Sequence, residues 1–92
     1  MIVYVEVEFI IHTAHSLKEK RAVLQRMITR TKQKFNVSIT ELDHQDVWQR
    51  TKIGLVALSS SKAAAEREMN HALHFLQSNP EWEQLNLYRE YL

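Results

Sequence analysis

This chain of 92 residues contains no cysteine, one glycine and one proline. Without cysteine there is no disulfide, no thiolate metal site and no thiol nucleophile, a composition compatible with a reducing compartment. With Gly54 as the single glycine, there is no glycine-rich loop to cradle a phosphate. The single proline, Pro80, follows Asn79, a pair that stops a helix. No apolar run reaches the roughly 20 residues that span a bilayer. Glu6 and Glu8 interrupt the apolar N-terminal stretch and no basic segment precedes it, so no secretory signal is expected. The expectation is a cytoplasmic protein without membrane contact. The length allows one domain, residues 1–92, with a modest core that would gain from self-association.

What the chain does have is a lopsided distribution of charge. Residues 16–35 hold Lys18, Lys20, Arg21, Arg26, Arg30, Lys32 and Lys34 against Glu19 alone. That segment carries +6, and because the whole chain carries +1, the rest carries −5. Local potential rather than net charge steers association, so the basic segment is a candidate contact surface.

Hydrophobic periodicity divides the chain into six elements. Val3, Val5, Val7, Phe9 and Ile11 alternate with Tyr4, Glu6 and Glu8, which predicts a strand over 2–11. Ser16 followed by Glu19 has capping-box spacing. Leu24, Met27, Ile28, Thr31 and Phe35 recur at three- and four-residue steps, predicting an amphipathic helix over 17–34 ended by Asn36. Val37, Ile39 and Leu42 suggest a second strand, bulged near Thr40. Asp43-His44-Gln45-Asp46 is turn-forming, because aspartates bond nearby backbone amides.

Residues 47–58 read as a third strand, apolar on both faces at Leu55–Leu58 and therefore central or covered. Ser59–Ser61 can cap a second helix over 62–77, striped by Ala65, Met69, Ala72, Leu73 and Leu76. A last strand over 84–91 is expected to turn Leu85 and Leu87 inward. Right-handed crossovers fold this order into a four-stranded antiparallel sheet, order 4-1-3-2, with both helices on one face. That is the ferredoxin-like βαββαβ arrangement, an α+β fold.

The runs SLKEKR and FNVS and the segment E-x-DHQD-x-WQR resemble the YlxP-like family of small bacterial proteins, a domain of unknown function. The resemblance spans essentially the whole chain. It implies a ferredoxin-like fold, a bacterial cytoplasmic location and a gene neighbourhood of translation and ribosome-maturation factors. It carries no catalytic residues with it.

Four constellations are candidates for function. On the first helix, Lys18, Arg21, Arg26, Arg30 and Lys34 can meet phosphates, or simply form a solvated face. Lys20 falls inside the apolar stripe, so it either reaches past the sheet end or is a buried partner of Glu41 or Asp43. On the open sheet face, Tyr4 and Trp48 occupy places where an RNA recognition motif stacks bases. The third strand lacks that motif's aromatic signature, and Glu6 and Glu8 on the same face repel phosphate. Arg50 and Lys52 are placed to neutralise these glutamates across the central strand pair. The apolar Val56 and Leu58 suggest a second subunit there.

The turn at Asp43–Asp46, like His12 at the end of the first strand, offers metal-binding or acid–base residues but no electrophile-stabilising partner, and a capped turn explains its composition. His71 and His74 stand three apart on the outer face of the second helix, without a third ligand. The expectation is a self-associating accessory protein, a dimer or higher, without catalysis, cofactor or metal. It would contact RNA or a ribosomal particle through the first helix. The rival is a homo-oligomeric ligand- or protein-binding domain that uses Glu6, Glu8, Trp48 and Arg50.

Overall fold

The computed structural model describes residues 1–92. Six elements follow in order: β1 (Ile2–Ile10), α1 (Leu17–Lys34), β2 (Val37–Asp43), β3 (Arg50–Leu58), α2 (Lys62–Gln77) and β4 (Glu83–Tyr91). The sheet order is β2-β3-β1-β4, with each neighbouring pair antiparallel. This is the order expected from the sequence, and both crossovers lay their helices on the same face.

Local chemistry sets the element ends. The Ser16 hydroxyl accepts from the Glu19 N–H at 3.1 Å, and Glu19 returns a bond to the His15 N–H at 3.1 Å. Ser61 caps α2 in the same way through the Ala64 N–H. At the end of α1 the Phe35 N–H still bonds Thr31, and the Asn36 N–H is taken by the Glu68 carboxylate of α2 at 2.6 Å. The helix thus closes one residue before Asn36, and the second helix satisfies the exposed amide.

The core lies between the sheet and the helices. Val3, Val5, Val7 and Phe9 of β1 are at most 1% exposed, as are Ile53, Leu55 and Ala57 of β3. They meet Leu24, Met27 and Ile28 of α1 and Ala65, Met69, Ala72 and Leu76 of α2. Trp82, just before β4, stacks on Phe9 at 4.2 Å and donates its indole N–H to the Leu76 carbonyl at 2.7 Å. It closes the end of the core without leaving a buried donor unpaired.

Three elements depart from the sequence reading. β3 begins at Arg50, so Val47, Trp48 and Gln49 belong to the connection. The bulge in β2 falls between Glu41 and Asp43 rather than at Thr40. Leu85 and Leu87 do not point into the core: they are 40% and 38% exposed. Leu85 sits in the bulge between β1 and β4. Leu87, opposite Val7, is on the helix side of the sheet, but the helices lie over β1, β2 and β3 and leave β4 largely bare.

Candidate functional site

The sheet face opposite the helices is built by the residues that alternate with the core. β1 supplies Tyr4, Glu6 and Glu8, and β3 supplies Val56, Gly54 and Lys52 directly across from them. β4 adds Glu90, Tyr88 and Asn86. Toward the chain termini this face is apolar, with Ile2, Tyr4, Val56 and the 65%-exposed Leu58. Near the middle, the Leu42 side chain lies across Gly54. A β-carbon added at Gly54 would sit 2.8 Å from Leu42 Cδ1, so the glycine is what lets Leu42 lie down. Gly54 is a close-approach glycine with an ordinary backbone conformation.

Toward the hairpin the face becomes a polar network. Lys52 reaches Glu6 at 3.1 Å and Arg50 reaches Glu8 at 2.7 Å, both diagonally across the strand pair. Glu8 also accepts from Asn86 at 3.3 Å and lies 2.7 Å from His44 Nε2. The His44 contact is the main reason the Glu8 carboxyl is held below its ordinary value. Arg50 and Asn86 act in the same direction and burial opposes them. Glu6 is likewise lowered, first by the Tyr4 hydroxyl that donates to it at 2.8 Å, then by Lys52. The same bond raises the Tyr4 phenol, and a bond to Glu90 raises Tyr88. Of the four residues expected to form a site here, Glu6, Glu8 and Arg50 come together. Trp48 does not join them: it is 48% exposed in the connection before β3.

The connection between β2 and β3 is fixed by His44. Its backbone has φ 65°, a left-handed conformation that side chains other than glycine's rarely adopt. Its backbone groups and its ring Nε2 are all engaged. The N–H donates to Asp43 Oδ1 at 2.7 Å, the carbonyl accepts from the Val47 N–H at 3.1 Å, and the ring meets Glu8. The Lys20 ammonium also donates to that carbonyl. Lys20 is 1% exposed and lies 3.0 Å from Glu41, whose carboxylate also accepts from the Thr51 hydroxyl at 2.7 Å. Of the two readings for Lys20, the buried partner of Glu41 is correct. His44, not the flanking aspartates alone, is the residue sequence reasoning missed. Its signal was the absence of glycine in a tight reversal.

The basic helix is not one surface. Arg26 forms a half-exposed ion pair with Glu81, ahead of β4. Lys34 lies over the Phe75 ring at 4.7 Å. Lys20 is buried in the network just described. Lys18, Arg21 and Arg30 remain exposed. At 3.6 residues per turn, Lys18, Arg21 and Lys32 share the flank toward β2, while Arg30 lies on the flank toward α2. His71 and His74 are exposed on the outer face of α2, and His12 is 3.8 Å from Glu83 at the sheet end. Neither helix is long and apolar enough to cross a membrane.

Known proteins of the same architecture include the de novo designed protein Foldit4. It aligns over 100% of this chain and 99% of its own, with a TM-score of 0.61 at 13% identity. The designed ferredoxin-fold protein LFR1 covers 98% of this chain and 83% of its own, with a TM-score of 0.51 at 15% identity. At such identities the likeness is one of fold. In sequence, the chain is 54% identical over 83 residues to the "Uncharacterized protein YlxP" of Bacillus subtilis (strain 168), covering 90% of each. The family model "Protein of unknown function (DUF503)" matches residues 2–89, and with that relative it places the chain in the DUF503 family, to which it belongs.

Proposed function

We propose that this protein is a binding module that works as a pair, two copies meeting through their open sheet faces. The observation that carries this reading is the apolar half of the face that no helix covers: Ile2, Tyr4, Leu42, Val56 and Leu58. A lone domain would leave this patch in water. Glu6 and Glu8 are neutralised within their own sheet by Lys52 and Arg50, and Glu90 beside Tyr4 is held by the Tyr88 hydroxyl without a cation. The size is adequate. Strands of nine residues at about 3.3 Å per residue and about 4.8 Å apart give a face of roughly 500 Å² in outline. Two such faces approach the roughly 1,000 Å² that a specific interface needs.

The test is light scattering across a concentration series, with Leu58→Asp as the variant. Leu58 is already exposed, so the substitution should leave the fold intact. A dimer that becomes a monomer on substitution supports the reading. A wild-type monomer at high micromolar concentration overturns it.

A second reading, contact with RNA or a ribosomal particle, is favoured by the exposed Lys18, Arg21 and Arg30. It is narrower than the sequence suggested, because Arg26 and Lys34 are engaged within the fold. Its mark is an affinity that falls steeply with salt. Lys18→Glu with Arg21→Glu, both exposed on one flank, should abolish it, and no binding by the wild type at low salt removes it.

A further inference from the structure

We propose that the groove between α1 and β2 binds an acidic peptide in extended form, which adds as a fifth strand to the edge of the sheet. The groove is about 570 Å³, with Leu24, Ile28 and Ile39 as its floor and Arg21 and Lys32 on its helical wall. β2 is an edge strand, so alternate backbone N–H and C=O groups on its outer side have no strand to pair with. Natural edges are usually blunted with lysine or proline, and the sequence VSITELD contains neither. The bulge near Leu42 touches only the far end. The strand is open where α1 stands beside it.

Charge selects the occupant. Arg21 and Lys32 are exposed, and neither has an acidic partner within the chain. Two carboxylates line the same groove, Glu41 and Asp46. Glu41 is already committed to Lys20 and Thr51. Asp46 alone opposes the two cations, and Lys18 stands on the same flank. The groove therefore presents unspent positive charge beside a row of open backbone groups. An acidic strand satisfies both.

The spacing goes further. Arg21 and Lys32 are eleven residues apart, about 16 Å along the helix. In an extended chain, side chains on one face recur about every 7 Å, so acids four residues apart lie about 13 Å apart. Long basic side chains reach across the difference. The residue midway falls over Leu24, Ile28 and Ile39. The recognised pattern is thus acid, any, apolar, any, acid. A second copy pairing through its own β2 is disfavoured, because a two-fold axis there sets Arg21 and Lys32 against the same cations of the partner.

The test uses a fluorescein-labelled peptide of about seven residues, with glutamates four apart, valine midway and threonine elsewhere. Amide chemical shifts on titration should move in residues 37–43 and along the Arg21–Lys32 flank of α1. Arg21→Gln with Lys32→Gln should weaken binding at least about tenfold without changing the thermal melt, since both side chains are exposed. Replacing both glutamates of the peptide by lysine should abolish binding. Three results overturn the proposal: no binding at millimolar peptide, shifts confined to β4 or the open face, or equal binding of the lysine peptide. If a short RNA displaces the peptide and moves α1 amides while leaving β2 amides still, the flank is a nucleic-acid surface and the proposal fails.

Discussion

Lys20 Nζ lies 3.0 Å from a Glu41 carboxylate oxygen in a site where the lysine is 1% exposed. This pair ties α1 to β2, and through the His44 carbonyl it also ties α1 to the β2–β3 connection. Two opposite charges are thus held at the edge of an apolar core. Their mutual attraction offsets desolvation only because Thr51 and the His44 carbonyl complete the hydrogen bonding.

Removing one member should therefore cost more than removing both. Lys20→Met leaves Glu41 without its cation and should destabilise the fold by about 3 kcal/mol or more. Adding Glu41→Leu should recover much of that loss, because a well-packed apolar pair replaces an ionic one at small net cost. Chemical denaturation of the two single variants and the double variant measures the coupling. Additive losses would show that the pair is no unit.

Acid should loosen the open face before it loosens the core. Glu6 and Glu8 have carboxyls held below their ordinary value of 4.5, Glu6 chiefly by Tyr4 and Glu8 chiefly by His44. A depressed carboxyl contributes stability that is fully present above its unfolded value and is lost as pH falls through its folded value. Stability should thus decline as pH drops below about 4.5. Glu8→Gln should lower stability at neutral pH and flatten the acid limb. A wild-type melting temperature unchanged down to pH 3 would contradict this.

The pattern of the sequence reveals the fold and hides much of the site, for identifiable reasons. The alternation of Val3 to Phe9 with Tyr4 to Glu8 reports burial directly, because one sheet face is dry. That Arg50 and Lys52 neutralise Glu6 and Glu8 was legible too, since alternation puts all four on one face, while the diagonal pairing depends on a register that alternation does not set. Periodicity placed Lys20 inside the stripe but could not choose its partner. The Arg26–Glu81 pair was not legible because Glu81 lies 55 residues away in the chain, and helical geometry says nothing about which loop returns beside Arg26. Leu85 and Leu87 look like core in sequence. Their exposure depends on how far the two helices reach across the sheet, a tertiary property. Trp48 was expected on the open sheet face, but β3 starts two residues after it, so the ring stands clear. Its replacement by alanine should change stability by less than about 1 kcal/mol, as at other exposed positions.

His44 offers a way to separate backbone from side chain. At φ 65° a non-glycine residue pays about 1 kcal/mol relative to glycine. His44→Ala loses the bond to Glu8 and keeps the strained backbone. His44→Gly loses the same bond and relieves the strain. The glycine variant should be the more stable of the two by about 1 kcal/mol, with both below wild type. Thermal melts at neutral pH decide it. Equal stabilities would mean that the connection relaxes to another conformation once the imidazole is gone.

Gly54 and Leu42 supply the sharpest link between packing and association. An alanine at position 54 would place its methyl group 2.8 Å from Leu42 Cδ1, so one of them must move. Leu42 is the one free to do so, because it is 42% exposed and the contact is at the tip of a flexible side chain. The cost to the fold should be small, under about 1 kcal/mol, since the lost contact is partly offset by a less flexible unfolded chain. The effect on the open face should be larger in proportion. A displaced Leu42 stands off the sheet in the middle of the surface proposed to meet a second copy. Close packing of two sheets about 10 Å apart leaves little room for a raised side chain. Gly54→Ala should therefore melt near wild type and dimerise several-fold more weakly. Gly54→Ala combined with Leu42→Ala should recover part of that loss, because the obstructing side chain is then gone. Sedimentation equilibrium on the three proteins tests both statements. A single variant that associates as tightly as wild type would place the contact surface elsewhere on the molecule.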